Sequence, residues 1–266
     1  MKTLRNLTLL LLALVVSQSA MAWSNWGHHI AAYIAEKHLT PEANAKCQHY
    51  LKQNLPHFSS WQDYWRHSDP FKEISFWHSS YVNKKFDVIG YKGDETRDAA
   101  YQVNRIIKEM EKGKYKQMSD SLVAVNLKLL IHMVGDMHCP SHVVYTKDFN
   151  LPKNSMKIKG KKCGHHKFWD ASPQYMHPKW KADRFVKAYD TYSPKEIKKI
   201  CKGNPFKWAV TSLPHAEQTF ELTPAGSNKQ KYSKQTRLEM QRICDEEAVK
   251  AGYRLAFVMN QIFKTK

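Results

Sequence analysis

Leu129-Leu130-Ile131-His132-Met133-Val134-Gly135-Asp136-Met137-His138-Cys139-Pro140-Ser141-His142 is the stretch that decides how this chain is read. Four His or Asp residues fall within eleven positions of a segment that is otherwise largely apolar. A buried charge is costly unless it is paired or bound to a metal. His132 and Asp136 stand four apart, so on a helix their side chains share one face and can share one ion. Apolar surroundings also exclude water, which strengthens the pull of a metal on a bound phosphate. The segment therefore predicts a metal site carried on a buried helix, and His166 and Asp170 repeat its spacing further along.

Working outward, the helical pattern runs from Ser119 to Met137 and stops before Pro140. A second helix is expected over Glu95 to Lys112, with Tyr101, Ile106, Ile107 and Met110 as its apolar residues and Gly113 as its end. Trp26 to Lys37 reads as another. Thr40-Pro41-Glu42 reads as a cap residue followed by proline at the first helical position. Ser193-Pro194-Lys195-Glu196 resembles a capping box, and Tyr232 to Phe263 holds one long helix with a break expected near Gly252. The alternation of Val, Ile and Thr typical of strands is sparse, and a short hairpin around Ile74 to Val88 is the one place where it suggests β-structure. The lysine-rich stretch Lys153 to Lys162 reads as a solvated surface loop. No repeat or flexible linker divides the chain, so the expectation is an all-α, single-domain, multi-helix fold with at most a short β-hairpin.

The N-terminus reads as a leader. Lys2 and Arg5 precede an apolar run from Leu7 to Val16, too short for a bilayer span of about 20 residues. Ala20-Met21-Ala22 follows as a small-x-small cleavage signal, which divides the chain into a signal peptide, 1–22, and one exported domain, 23–266. No second apolar run approaches membrane length, which excludes stable membrane insertion of the processed chain. The formal net charge is +18, from 42 Lys and Arg against 24 Asp and Glu. Such an excess favours polyanionic partners through phosphate neutralisation and long-range steering. The lysines cluster at Lys147 to Lys167 and Lys195 to Lys207. Five cysteines (Cys47, Cys139, Cys163, Cys201 and Cys244) permit one or two disulfides in an oxidising compartment, with the pairing open. No Cys-x-x-Cys pair is present, so nothing supports a zinc ribbon or a thioredoxin-type site.

The quoted stretch resembles the Leu-x-His-x-x-Gly-Asp-x-His-x-Pro-x-His motif of the trinuclear-zinc nuclease family. That family includes fungal single-strand nucleases and plant bifunctional nucleases, within the phospholipase C/nuclease superfamily. Further matches follow in the same chain order: Trp23-Ser24-Asn25-Trp26-Gly27-His28, Trp61-Gln62-Asp63-Tyr64-Trp65-Arg66, Phe76-Trp77-His78, His166-Lys167-Phe168-Trp169-Asp170, and the helix motif Ala251-Gly252-Tyr253-Arg254-Leu255-Ala256. The resemblance implies a phospholipase C/nuclease-type helical fold and three zinc ions. One zinc would take Asp63, His78, His132 and Asp136, and a second His142, His166 and Asp170. The third would take His28, Asp136 as a bridge, and the amine and carbonyl oxygen of Trp23, which exist as a ligand pair only after cleavage before that residue. Asp63 and Asp136 are the implied catalytic carboxylates, with Arg66 holding Asp63. The implied reaction is hydrolysis of single-stranded DNA or RNA to 5′-phosphorylated products, together with 3′-nucleotidase activity.

The match departs from the family in two places, and one is the segment Lys161-Lys162-Cys163-Gly164-His165, which lacks the asparagine usual before His166. Where its members often carry an aromatic residue and then an Asp to hold a nucleobase, this chain has Ser79, Ser80 and Tyr81. Tyr81, Tyr145 and Phe149 are the aromatic residues that can substitute. Two other functions stay open on sequence alone: a zinc-dependent phospholipase C, and a non-catalytic zinc protein that binds polyanions. The short gap from Trp23 to His28 and the use of Asp170, where phospholipases usually have Glu, resemble the nuclease branch.

Overall fold

The computed structural model of the chain describes residues 23, 25–145, 155–228 and 231–264. The expected leader, 1–22, lies outside these residues, as does Phe149. Helices dominate, and their order follows the capping signals: α1 (Asn25–Lys37), α2 (Pro41–Leu51), α3 (Trp61–Trp65), α4 (Ala99–Met110) and α5 (Asp120–Asp136). The C-terminal half adds α6 (His165–Asp170), α7 (Ser172–Met176), α8 (Ala182–Tyr189), α9 (Pro194–Ile200), α10 (Pro205–Thr211), α11 (Leu213–Leu222) and α12 (Lys234–Phe263). Thr40 Oγ1 accepts from Ala43 N at 3.2 Å to start α2, and Ser119 and Ser193 cap α5 and α9, the latter with a complete capping box. The fold is all-α, as the sequence predicts.

α5 runs through the core, buried from Leu129 through Asp136 without a break. α1 and α12 pack on each other and on α5. Their close approach rests on Gly252, where an added Cβ would lie 2.5 Å from Ile34 Cγ2 and 3.1 Å from the Ala31 carbonyl oxygen. Gly252 therefore does not interrupt α12, which is continuous; it lets α1 in. Ile30, Ile34 and Tyr253 seal that contact, each burial worth about 1.5–3 kcal/mol.

Three expectations are corrected. α4 begins at Ala99 because Asp98 accepts from Ala100 N and Tyr101 N, and Glu95–Arg97 forms a separate 3-10 turn. The region Ile74 to Val88 holds a single short strand, β1 (Ser80–Val82). Its partner is β2 (Val143–Tyr145), in parallel with Ser80 opposite Val143; the return of the expected hairpin is only an isolated antiparallel bridge from Val82 to Val88. The hairpin lies instead inside the lysine-rich stretch, where β3 (Met156–Ile158) pairs antiparallel with β4 (Lys161–Cys163). Lys159 and Gly160 turn it with φ of 48° and 76°, as two-residue hairpin loops require, and Met156 and Cys163 point inward while the lysines face water. The cysteines make no disulfide among the described residues; all five are buried and spread over three separate apolar clusters. No described helix is long and apolar enough to cross a membrane.

Candidate metal centre

α5 delivers His132 and Asp136 one turn apart at its C-terminal end, both fully buried. The 3-10 turn Pro140–His142 folds straight back and brings in His142. α1 contributes His28, α3 Asp63, the residue two before β1 His78, and α6 His166 and Asp170. Asp136 is the hub. Its Oδ1 lies 3.2 Å from His28 Nε2 and 3.2 Å from His142 Nδ1, and its Oδ2 lies 2.7 Å from His78 Nδ1 and 3.2 Å from His132 Nε2. Asp63 Oδ1 stands 3.8 Å from His132 Nε2 and 3.9 Å from His78 Nε2. Asp170 joins the other pair, with Oδ1 3.0 Å from His142 Nε2 and Oδ2 3.1 Å from His166 Nε2.

Backbone carbonyls orient two of the rings. His132 Nδ1 donates to the Ser59 carbonyl at 2.7 Å, and His142 Nδ1 to the His78 carbonyl at 3.0 Å. A carbonyl only accepts, so each ring carries a proton on Nδ1 and turns Nε2 inward, the nitrogen that binds a metal when it is deprotonated. Several buried atoms at the centre make no hydrogen bond at all: both nitrogens of His28, His132 Nε2, both oxygens of Asp63, and Asp136 Oδ1. Their neighbours lie within ion-pair range but are not aligned to donate. Ligand atoms of His28, Asp63 and His132, of His78, His132 and Asp136, and of Cys139, His142 and Asp170 converge to within 4.8 Å in each group. Orphaned lone pairs of His and Asp converging on common points suit a divalent cation such as zinc.

Electrostatics agree. Burial alone would raise Asp136 and Asp170, yet the surrounding imidazoles hold both carboxyls below the ordinary range. Burial pushes His78 down to about 4 against the pull of Asp136, and burial and His132 lower His28. His132 and His142 are raised despite burial, because each faces two carboxylates. In this cluster the five imidazoles (His28, His78, His132, His142 and His166) outnumber the three carboxylates (Asp63, Asp136 and Asp170).

Around it, Arg66 Nη1 lies 2.7 Å from His78 Nε2 and Nη2 lies 3.6 Å from Asp63 Oδ1. His166, stacked on His142 at 4.4 Å between centroids, is the open member, with 53% of its side chain exposed. Trp23 is fully buried, its indole edge-on to His28 at 6.1 Å. Of the aromatic residues that can substitute in holding a nucleobase, Tyr145 stacks parallel to the exposed Phe86 at 6.2 Å, and Tyr81 meets Tyr91 at 5.4 Å.

Some contributors carried no sequence signal. The Ser59 and His78 carbonyls are backbone groups. Ser141 Oγ donates to Asp170 Oδ1 at 3.2 Å, and the Cys139 thiol does so at 3.5 Å. Burial and the Asp170 charge raise that thiol well above its ordinary value. His138, inside the motif, faces away: it donates from Nδ1 to the Val134 carbonyl at 2.7 Å and accepts from Arg254 Nη1 at 2.7 Å.

A family model described as S1/P1 nuclease matches residues 23–264. The chain belongs to the S1/P1 nuclease family. Nuclease S1 of Aspergillus oryzae (strain ATCC 42149 / RIB 40) is 25% identical over 177 residues, 60% of this chain and 57% of that relative, so the alignment spans less than two thirds of the relative's length. The family match takes in each element that contributes to the centre, from Trp23 and α1 through α6.

Proposed function

We propose that the chain, exported and processed before Trp23, is a zinc-dependent nuclease. It hydrolyses phosphodiester bonds of single-stranded DNA and RNA to 5′-phosphorylated products and removes phosphate from 3′-nucleotides. Residues 1–22 are then its leader and 23–266 its catalytic domain. Three zinc ions are assigned to Asp63, His78, His132 and Asp136; to His142, His166 and Asp170; and to His28, Asp136 and the amine and carbonyl of Trp23. The observation that carries the reading is Asp136, a fully buried carboxylate with an imidazole nitrogen from four different histidines within 3.2 Å. Membership of the S1/P1 nuclease family supports the phosphodiester substrate.

Zinc bound here would lower the pKa of a water molecule to about 7 and polarise a phosphate oxygen. The chain's own residues supply the rest. Both Asp63 oxygens lack hydrogen-bond partners, so Asp63 can accept a proton from the attacking water and orient it. Arg66 touches both Asp63 and His78 and fixes their relative position. The Ser59 and His78 carbonyls hold two imidazoles in the tautomer that turns a lone pair inward. Apolar walls contributed by α5 exclude bulk water.

The test is hydrolysis of single-stranded DNA and RNA by protein beginning at Trp23, run beside phosphatidylcholine and an Asp136→Ala control. Zinc-dependent cleavage lost in the control is the expected result. Lipid hydrolysis without nucleic-acid cleavage would move the chain to the phospholipase branch. Polyanion affinity without turnover, surviving chelation, would leave a binding protein.

A further inference from the structure

Away from the metal centre, a groove of about 960 Å³ runs between α9 and the C-terminal part of α12. Lys195, Lys198, Lys199 and Lys202 all line it. Their spacing of three, four and seven puts them on one face of α9 and the turn after it, where like charges oppose each other. None of the four has a carboxylate partner among the described residues. The nearby acids are engaged elsewhere: Asp190 by His38 at 2.9 Å and the Tyr253 hydroxyl at 2.6 Å, and Glu196 by the Ser193 hydroxyl at 2.6 Å. Two aromatic side chains stand half-open in the same groove, Tyr192 at 38% exposure and Phe257 at 40%. Its wall is fixed, because Arg254 Nε donates to the Ile200 carbonyl at 3.1 Å and the Cys201 thiol to the Tyr253 carbonyl at 3.4 Å.

We propose that this groove is a second binding site for single-stranded nucleic acid, distinct from the metal centre. The lysines take backbone phosphates, and Phe257 and Tyr192 offer faces on which bases stack. A row of cations beside exposed aromatic rings is the chemistry that binds a single strand without sequence preference. A concave groove cannot press against a flat bilayer, and an acidic peptide would leave the two rings unused. His38, on the groove, follows α1 directly, and His28, in the metal centre, lies ten residues earlier; at 1.5 Å per residue the two sites are about 15 Å apart along that helix. The groove rests on the nuclease reading only for the identity of the strand as substrate. Its role there is to hold a long strand while a distant phosphodiester occupies the metal centre, which raises affinity for long substrates and leaves short ones unaffected.

The experiment uses zinc-loaded protein beginning at Trp23. Binding of a labelled phosphorothioate single strand is followed by fluorescence anisotropy over a salt series, and dinucleotide turnover is measured in parallel. Replacing all four lysines by Gln should flatten the slope of log K against log salt by about 3, at about 0.7 for each phosphate no longer neutralised. Phe257→Leu keeps apolar bulk over Trp208 but removes the stacking face. It should weaken binding about five- to a hundredfold with the slope unchanged, and Phe257→Tyr should restore it. Dinucleotide turnover should stay at the wild-type level in every variant. Wild-type affinity and slope in the lysine variant would overturn the proposal, as would a variant that loses only anionic vesicles or acidic peptide and keeps the oligonucleotide. If wild-type protein cleaves nothing yet the variants lose the strand, the nuclease reading fails and the groove stands.

Discussion

Gly135→Ala tests whether His28, proposed as a ligand of the third cation, is wedged as tightly as its surroundings imply. An added Cβ at this position would lie 2.5 Å from His28 Nδ1 and 3.1 Å from His28 Cε1. Restoring an ordinary contact of 3.4 Å means moving the ring by about 0.9 Å, whereas ligand distances in a metal site tolerate about 0.2 Å. The ring has little freedom to retreat: it is fully buried, stacked on His132 at 4.1 Å, with Trp23 edge-on beside it. Alanine gains about 1 kcal/mol over glycine in a helix interior, and overpacking costs about 1–3 kcal/mol. The net is between no change and a loss of about 2 kcal/mol, a fall of at most about 8 °C in Tm for a chain of this size. Metal binding should respond more strongly, with affinity at the His28 site down about 10–100-fold, the usual cost of disturbing a ligand's support. Zinc content after gel filtration, with a thermal melt on the same samples, separates the two effects: one ion fewer per chain, with Tm level or lowered. If the variant keeps its full zinc complement at unchanged affinity and its Tm rises by the propensity gain, His28 is not wedged and the reasoning fails.

Three further predictions use other parts of the molecule. Arg254→Met leaves the fully buried His138 Nε2 without its donor and removes a hydrogen bond from the half-buried Ile200 carbonyl, which should cost at least about 1–3 kcal/mol in urea unfolding; a loss below about 1 kcal/mol would show that the network is not structural. Burial alone would raise Glu247, but the His215 hydrogen bond and the Lys250 charge hold it far below its ordinary 4.5. Its contribution is therefore in place above pH 4.5 and is lost as pH falls below that value, because the unfolded chain takes up a proton that the folded carboxylate refuses. The stability gap between wild type and Glu247→Gln should accordingly shrink between about pH 6 and about pH 3.5, and a gap that is constant or widens would reverse the sign. One residue added before Trp23 removes the α-amine proposed as a ligand, so the extended chain should hold one zinc fewer and lose nuclease activity; full metal content and turnover would refute that ligand.

What was legible in the sequence follows from where each signal resides. The helices announced themselves through local chemistry: Thr40, Ser119 and Ser193 are caps whose hydroxyls satisfy the first backbone donors a few residues away. The candidate ligands were legible because His and Asp are rare inside apolar sequence, and the structure brings Asp63, His78, His132, Asp136 and His142 together from four separate segments. Features that depend on distant partners were not legible. β1 pairs with a strand some sixty residues away, so nothing near Ser80 could name Val143 as its neighbour. The β3–β4 hairpin was hidden because its outward lysines outnumber the apolar residues of its two-residue alternation, Met156, Ile158 and Cys163. Gly252 looked like a helix breaker, and its reason lies on α1, in Ile34 and the Ala31 carbonyl.

The same division explains why the centre and the core cannot be separated energetically. Each oxygen of Asp136 faces two imidazoles, and one carboxylate balances only one positive charge. The four rings do not respond alike: burial drives His28 and His78 towards neutrality, while the carboxylates they face drive His132 and His142 towards charge. A divalent cation bound here would replace those protons, because a ligating imidazole binds through a neutral lone pair. The centre lies at the end of α5, the helix on which α1 and α12 pack, so a cation bound there would stabilise the fold as a whole by mass action. Metal affinity and folding stability should then rise and fall together with pH, because protons and zinc compete for the same nitrogens.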